Sequence, residues 1–375
     1  MSGIYIHIPF CKTKCTYCDF YSNADFDMKA RVLQAMCSEI RDRRNYLSDK
    51  NIATIYFGGG TPSTLSSEEM ASLLSEIKKN LTVLDDAEIT MEANPDDLSL
   101  NYLKSLREIG INRLSIGIQS FDDEQLAFIQ RRHDADGAVN AVKQAQQTGF
   151  DNISIDLIYG LPNQTLQSWQ AQLDKAFTLD VQHFSAYGLT YETNTALWKQ
   201  LQQGKVTATD DETMIKMYEM LVKKYTENGF EQYEISNFAK AGLRSKHNSS
   251  YWQQIPYLGI GPSAHSYDGN SRQWNVSNML AYCKNIETNQ PYFEREQLTE
   301  NDQFNDYVMV RLRTIEGIDL NFVKEKFNEK RLPLLLKSSK KHIHNQLLIH
   351  QNNFLFLTQA GILVSNQIIE DLMQV

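Results

Sequence analysis

The chain has 375 residues, 42% hydrophobic and 22% charged, a composition typical of a folded protein with one large and one small domain. Its formal net charge of -9 argues against nucleic acid as the principal partner, because phosphate binding relies on positive charge. The chain shows no signal-peptide pattern and no apolar run of membrane-spanning length, and three of its five cysteines are clustered, so we expect a cytoplasmic protein without a transmembrane segment.

From residue 4 to about residue 190, a short apolar strand, a loop rich in Gly, Pro or Asp, and an amphipathic helix follow one another repeatedly. The predicted strands span residues 4–8, 54–57, 88–92, 113–118, 152–157 and 183–189. The predicted helices lie near residues 28–44, 66–80, 97–109, 122–130, 135–148 and 165–178. Such alternation predicts parallel strands joined by right-handed crossovers. Six units are too few to close the eight-unit barrel, so the pattern predicts an α/β fold with an open (β/α)6 partial TIM barrel.

The first loop of this barrel carries cysteines in the spacing C-x3-C-x2-C, at Cys11, Cys15 and Cys18. Thiolates this close can converge on one metal centre, because a short loop folds back easily and sulfur binds iron and zinc well. Most iron–sulfur clusters take four cysteines, and a cluster held by three keeps one iron open to a non-protein ligand. Zinc usually takes four ligands from paired knuckles, whereas Cys37 and Cys283 stand alone. The spacing favours an iron–sulfur site, with zinc or inert thiols as the alternatives.

The residues around these cysteines resemble the radical S-adenosylmethionine (SAM) superfamily. The likeness rests on the segment from Tyr5 to Cys11, on the cysteine spacing, and on Tyr17 directly before Cys18. More narrowly, the sequence is similar to oxygen-independent coproporphyrinogen III oxidase and its close relatives, the haem chaperones. The resemblance implies a [4Fe–4S] cluster whose open iron is chelated by the amino and carboxylate groups of SAM. A low-potential electron donor would reduce the cluster, which passes one electron to the sulfonium and releases methionine and a 5′-deoxyadenosyl radical.

The loops after the other strands carry residues suited to bind SAM, since reactive groups gather at the carboxyl ends of barrel strands. After the second strand, a glycine run followed by Thr61 lets the backbone approach a ligand and leaves N–H and C=O groups free to bond it. Where the third strand ends, the carboxylate of Glu92 can accept both hydroxyls of a ribose. The resemblance assigns SAM contacts to Tyr5, Tyr17, Gly59, Gly60, Thr61, Glu92, Gln119, Arg131, Asp156 and Tyr187. A single acid or arginine at a strand end is often structural, but five in register at successive strand ends are hard to attribute to chance.

Beyond residue 190 the repeat stops, and a helix near residues 211–227 and an added strand at 230–235 are predicted. The segment HNSSYW at residues 247–252 matches the H-N-x-x-Y-W pattern of the haem chaperone branch. A histidine followed by two aromatic residues can ligate haem iron while the aromatic rings pack on the macrocycle. We therefore expect His247 to be an axial haem ligand, with His265 as the next candidate. Structural roles for both histidines are the alternatives.

A linker with a Glu-rich stretch is expected to run to about residue 300. Helices are then predicted near residues 302–313, 319–327 and 331–346, followed by a hairpin across 351–353 and a last helix capped by Thr358. This order indicates a winged-helix-like domain whose lysines form a solvated face, with DNA binding as a weaker alternative. The predicted domains are a radical SAM core over residues 1–230, a barrel-edge extension and linker with the haem motif over 231–300, and the winged-helix-like domain over 301–375.

Two functions of different classes agree with these features. The first is a haem chaperone that binds haem and transfers it to acceptor proteins, with the [4Fe–4S] cluster and SAM in an accessory role. The alternative is an oxygen-independent coproporphyrinogen III oxidase, which makes protoporphyrinogen IX in porphyrin biosynthesis by converting two propionates to vinyl groups. By resemblance, the oxidases have an N-terminal extension and a fourth cysteine where this chain has Phe20, and the H-N-x-x-Y-W string belongs to the chaperones. We therefore expect haem binding without coproporphyrinogen III dehydrogenase activity.

Overall fold

The computed structural model describes residues 1–374, and its centre is a row of six parallel strands that follow the order of the chain. These strands are β1 (Ser2–Ile8), β2 (Asn51–Gly59), β3 (Thr82–Ala93), β4 (Arg113–Gln119), β5 (Ile153–Tyr159) and β6 (His183–Gly188). The helices between them are α1 (Lys29–Asp42), α2 (Ser67–Asn80), α3 (Leu100–Glu108), α4 (Asp123–Phe128), α5 (Ala135–Gln147) and α6 (Leu166–Phe177). In the described chain β1 and β6 do not pair, so the barrel is open. The predicted α/β fold with an open (β/α)6 barrel is confirmed.

The central strands send alternate side chains to opposite faces, as extended backbone requires. On β1, Ile4, Ile6 and Ile8 are fully buried in the main hydrophobic core beneath the helices. Tyr5 and His7 lie on the other face of β1, toward the inside of the barrel, and hydrogen-bond each other there. The inner face of the barrel therefore collects polar and aromatic groups, while the outer face is apolar.

The sheet continues beyond these strands on both sides. The added elements are α7 (Ala196–Gln202), α8 (Asp211–Glu227), β7 (Glu231–Gln232), β8 (Asn237–Ala239), α9 (Lys246–Trp252), β9 (Tyr257–Ile260), β10 (His265–Tyr267), β11 (Ser271–Asn275), α10 (Met279–Glu287) and β12 (Phe293–Gln297). The full order of strands is β12-β11-β10-β9-β1-β2-β3-β4-β5-β6-β8-β7. β9 runs parallel to β1, and β10, β11 and β12 follow antiparallel. At the outer edge, β12 presents exposed side chains from Glu294 to Gln297.

One expectation for this region holds in part and another is wrong. Of the strand predicted at residues 230–235, only β7 forms, and it pairs antiparallel with the neighbouring short strand β8 at the edge of the barrel sheet. The stretch expected to be a linker instead folds into β11, α10 and β12. These strands have two to five residues each, which is too short for an alternating pattern to stand out in the sequence.

A buried ion pair at the C-terminal end of α1, between Glu39 and the C-cap residue Arg43, joins the added strands to the barrel. Glu39 is completely buried and accepts hydrogen bonds from Arg43 (3.2 Å), the Gly261 N–H (2.9 Å), Asn275 (2.7 Å) and the Tyr282 hydroxyl. Arg43 in turn donates to groups on the added strands, namely the Gly259 carbonyl oxygen (3.3 Å), Ser266 (3.2 Å) and Gln273 (2.8 Å). Burial raises the pKa of Glu39, and the Arg43 cation opposes that rise. One charged pair on one helix therefore holds much of the polar contact between α1 and strands β9 to β11.

The C-terminal unit has its own hydrophobic core, formed by buried residues between Phe304 and Leu372. Its elements are α11 (Glu300–Arg311), β13 (Ile318–Asp319), α12 (Leu320–Lys326), α13 (Arg331–His344), β14 (Leu348–Gln351), β15 (Phe354–Leu357), α14 (Gln359–Leu363) and α15 (Ser365–Leu372). Arg244 connects this unit to the barrel, because it pairs with both Glu231 (2.8 Å) and Glu316 (2.5 Å). We propose a domain boundary near residue 300, where the two cores separate.

Candidate cofactor site

A cavity of about 600 Å³ lies at the carboxyl ends of the six parallel strands. Most of the residues predicted to bind a cluster or SAM line it: Cys11, Cys15, Tyr17, Cys18, Gly59, Gly60, Thr61, Glu92, Gln119, Arg131, Asp156 and Tyr187. Parallel strands bring their carboxyl ends to one edge, which explains how residues so far apart in the chain meet here. Tyr5 and His247 are outside this lining. A cavity of this size suits a small-molecule cofactor.

The cysteine loop forms one wall of the cavity, and all of its thiols are free and partly buried. The Thr61 hydroxyl lies 3.2 Å from the Cys11 sulfur, and Arg131 donates to the Cys15 sulfur at 3.4 Å. Burial raises the pKa of the Cys18 thiol to about 11. The thiolates of a bound cluster accept hydrogen bonds, so donors directed at these sulfurs would stabilise one.

The donor set fits an iron–sulfur cluster. Within residues 1–374, no three His, Cys, Asp or Glu side chains converge closely enough to hold a single metal ion. A [4Fe–4S] cluster bonds each thiolate to a different iron, and so takes sulfurs that lie further apart than the ligands of one ion. Three free, partly buried thiols on one wall of the cavity are the ligand type that such a cluster takes.

Asp97 holds the cysteine loop in place, a role that the sequence did not reveal. Its carboxylate is 3% exposed and accepts hydrogen bonds from Lys12 (2.7 Å), Ser63 (2.8 Å) and Arg132 (3.1 Å). Lys12 belongs to the cysteine loop and Ser63 to the loop after β2. Arg132 also pairs with Asp96 at 2.5 Å. These contacts tie three loops of the site together.

The glycine loop after β2 packs tightly against β1. A Cβ atom on Gly60 would lie 2.8 Å from the carbonyl oxygens of Ile8 and Phe10, so no larger residue fits. The N–H groups of Gly60 and Thr61 already donate to Ile8 and Phe10, at 2.8 and 2.7 Å. The expectation that these N–H groups are free for a ligand is therefore wrong, and a ligand amino group would meet carbonyl oxygens here.

Two half-buried acids face the cavity from β3 and β5. Burial raises the pKa of Glu92 to about 7, against the lowering effect of the Tyr56 hydroxyl, which donates to Glu92 Oε1 at 2.8 Å. Burial likewise raises the pKa of Asp156 to about 6, although Ser115 donates to it at 3.3 Å. Two carboxylates in a low-dielectric pocket favour a ligand that brings hydroxyl donors and positive charge.

Gln119 and Arg131 complete the rim at the end of β4. Gln119 has a φ of +70°, a left-handed conformation that is strained for a residue with a side chain and that marks a constrained position. Arg131 donates to Asn94 at 2.6 Å and to the Gly117 carbonyl oxygen at 2.5 Å. Asn94 also lines the cavity and was missed in the sequence, although its position two residues after Glu92 at a strand end was a usable signal.

His247 lies at the other end of the barrel. Its side chain is 1% exposed, Nδ1 is 2.8 Å from the Thr54 hydroxyl, and Nε2 is 2.9 Å from the Tyr251 hydroxyl. Both ring nitrogens are therefore engaged, and neither is open to iron in this arrangement. Tyr5 lies between the two ends, half-buried, and stacks on both Tyr56 and His247. His265 is exposed and tilts against the Trp274 ring at 6.3 Å.

Comparison with protein families matches residues 5–176 to the radical SAM superfamily and residues 298–364 to the HemN C-terminal domain. Among solved structures, the chain is similar to coproporphyrinogen III oxidase (HemN) from Escherichia coli, with a TM-score of 0.86 and 23% identity over 99% of this chain and 90% of that one. At 23% identity, this likeness shows that the two chains share a fold. No helix within residues 1–374 has the length and apolar character needed to cross a membrane.

Two curated relatives match over nearly the whole chain, and a third matches over most of it. The protein named Heme chaperone HemW from Bacillus subtilis is 38% identical over 98% of both chains. The protein of the same name from Mycobacterium tuberculosis is 32% identical over 99% of this chain and 94% of its own. Radical S-adenosyl methionine domain-containing protein 1 of Mus musculus mitochondria is 37% identical over 70% of this chain and 60% of its own. The similarity thus extends through the barrel, the added strands and the C-terminal unit.

Proposed function

The chain belongs to the radical SAM family whose curated members include Heme chaperone HemW, and on that premise we propose that it binds haem and transfers it to acceptor proteins. The observation that carries this proposal is the similarity to haem chaperones over 98% of both chains, which includes the HNSSYW segment and the C-terminal unit. Membership of the superfamily implies a [4Fe–4S] cluster and SAM. Haem itself, a haem-accepting protein and a low-potential electron donor are the proposed partners.

We assign the cluster to Cys11, Cys15 and Cys18, and SAM to the rest of the cavity at the strand ends. When bound and reduced, the cluster would supply one electron to the sulfonium of SAM. The chain's own residues then hold and orient these groups. Thr61 and Arg131 donate hydrogen bonds toward the sulfurs, and Asp97 keeps the cysteine loop in place through Lys12. Glu92 and Asp156 are the acceptors for the hydroxyl and cationic groups of SAM.

Replacing Glu92 with glutamine is expected to weaken SAM binding at pH 8 by about 1.5–3 kcal/mol, the range for hydrogen bonds to a charged group. In the parent protein, SAM affinity should rise with pH through about 7, because burial raises the pKa of Glu92 to that value and the ionised carboxylate is the better acceptor. Below pH 7 the SAM affinity should rise by at most roughly tenfold per pH unit, because only one such group titrates. Calorimetry at pH 6, 7 and 8 measures both effects.

Glu108 provides the matched control, since it is exposed at the end of α3 and is not among the residues that line the cavity. Glu108→Gln should bind SAM as the parent does at every pH. Glu92→Gln should lose most of the pH dependence while it keeps its iron, and the remainder reflects Asp156. An unchanged affinity in Glu92→Gln would remove this residue from the SAM site.

The holoprotein is expected to bind haem and to leave coproporphyrinogen III unconverted. Ligation by His247 remains the proposed mode, and it requires α9 to move, because both ring nitrogens are hydrogen-bonded in the described arrangement. A haem titration should give a Soret band that shifts with an imidazole ligand and weakens in His247→Ala. Far-UV circular dichroism and iron content show whether the variant has kept its fold.

His350, exposed on the C-terminal hairpin, is the control position, and His350→Ala should bind haem as the parent does. If His247→Ala is folded and also binds haem normally, the ligand assignment is wrong and His265 is tested next. Formation of protoporphyrinogen from coproporphyrinogen III under anaerobic, reducing conditions with SAM would replace the chaperone function with the oxidase function.

A further inference from the structure

The interior of the barrel connects the two proposed ligand sites through one side chain. Tyr56 lies on the inner face of β2, and its hydroxyl donates to Glu92 Oε1 at 2.8 Å. The ring of the same tyrosine stacks on His247, with centroids 5.0 Å apart and planes 20° apart. Tyr5 stacks against both rings and closes the space beside them. Tyr56 therefore touches the carboxylate assigned to SAM at one end and the histidine assigned to haem at the other.

Strand β3 makes a second, parallel connection between the same sites. Its inner face carries Glu88 in the middle of the strand and Glu92 next to its carboxyl end. The two carboxylate oxygens of Glu88 accept the N–H groups of Lys246 and His247, each at 3.0 Å, in the first turn of α9. Helix α9 is thus held by Glu88 at its start and by the stacked ring of Tyr56 on His247.

The Tyr56 hydroxyl has little freedom to change partners. Tyr56 is 9% exposed, and Glu92 is its one hydrogen-bond acceptor within residues 1–374. The Glu92 side chain is half-buried and lines the cavity, so its carboxylate is the group that a ligand there meets. A ribose diol that bridges both carboxylate oxygens competes with Tyr56 at Oε1, because Tyr56 already donates to that oxygen. A buried hydroxyl that loses its partner is costly, so the tyrosine is driven to move.

We propose that Tyr56 is a positioning residue that couples the two sites, so that SAM at Glu92 and haem at His247 bind with positive cooperativity. This inference rests on the proposed function. When SAM takes the Glu92 oxygen, the displaced Tyr56 ring loosens its stack on His247, and α9 opens more easily to haem. By linkage, haem that draws His247 away frees Tyr56 and eases the binding of SAM by the same factor. The chain thereby joins SAM occupancy to haem capture without a direct contact between the two ligands.

The experiment measures haem affinity of the anaerobically reconstituted holoprotein by Soret titration, with and without saturating SAM. In the parent protein, SAM should lower the haem Kd by at least about fivefold, the small end of typical allosteric couplings. In Tyr56→Phe, which keeps the stacked ring and loses the hydrogen bond to Glu92, the ratio of the two Kd values should fall to within about twofold of one. A merely structural role for Tyr56 would change haem affinity equally in both conditions and leave the ratio intact.

Tyr102→Phe is the matched control, since it removes a half-buried hydroxyl that bonds the Leu65 carbonyl oxygen away from Glu92. It should keep the parent ratio. If the parent protein binds no haem, the proposed function fails. If the parent binds both ligands but SAM leaves the haem Kd unchanged or raises it, or if Tyr56→Phe keeps the parent ratio, the coupling fails while the proposed function stands.

Discussion

Replacing Cys11, Cys15 or Cys18 with alanine is expected to abolish the iron–sulfur cluster completely. A cluster with three protein ligands already leaves one iron to an exogenous group, so the loss of another thiolate exposes a second iron and makes the cluster labile. The brown chromophore, the acid-labile sulfide and the low-temperature EPR signal of the reduced protein should disappear together. Iron and sulfide analysis after anaerobic reconstitution measures how much cluster each variant holds.

Cys37→Ala is the control for this series, because Cys37 lies on α1 and is absent from the cavity lining. It should keep the full iron content of the parent. Full iron and sulfide in all three loop variants would refute the assignment. Stoichiometric zinc in the freshly purified protein would do the same.

Replacing Arg43 with methionine is expected to cost about 3–5 kcal/mol of the free energy of unfolding, the range for removing one partner of a buried pair. The change leaves the Glu39 carboxylate buried without its cation, although Asn275, Tyr282 and the Gly261 N–H still bond it. The pKa of Glu39 is raised by burial, and without Arg43 it rises further. A protonated Glu39 needs no cation, so the loss should be larger at pH 8 than at pH 5.5. Urea denaturation at both pH values measures it.

Arg41 stands two residues away on the same helix and pairs with Glu76 at 3.4 Å while 47% exposed. Arg41→Met should cost less than about 1 kcal/mol, as exposed pairs do, with no such pH dependence. A loss below that size in Arg43→Met, or an equal loss at both pH values, would show that the buried pair does not fasten the added strands.

The barrel could be predicted from the sequence because its strands and helices differ in period. Residues 113–118 alternate and are followed by an acid-rich turn and a helix with apolar residues three and four apart, and the other units repeat the order of strand, loop and helix. The added strands could not be predicted in the same way. β11, with the sequence SRQWN, owes its place to pairing with β10 and β12 and not to its own hydrophobic pattern. Local sequence carries little information about such nonlocal pairing.

The cavity lining could be placed on the strand ends because parallel strands all end at one edge. The position of His247 could not be deduced, because the segment HNSSYW is compatible both with an exposed histidine and with one buried at the end of the barrel. The burial of His247 depends on Glu88, which lies 159 residues earlier in the chain and accepts a hydrogen bond from the His247 N–H at the start of α9. The Lys12–Asp97 contact is likewise invisible in the sequence, because it spans 85 residues.

The open sheet ends in two free edges, and their chemistry bears on how the chain avoids self-association. On one side β12 exposes alternating charges from Glu294 to Glu296, and on the other β7 is only two residues long. A further strand that added to β12 would bring its own side chains against these charges, and β7 offers too short a template for stable pairing. The chain can therefore keep its barrel unclosed, and open to ligands, without becoming a seed for edge-to-edge aggregation.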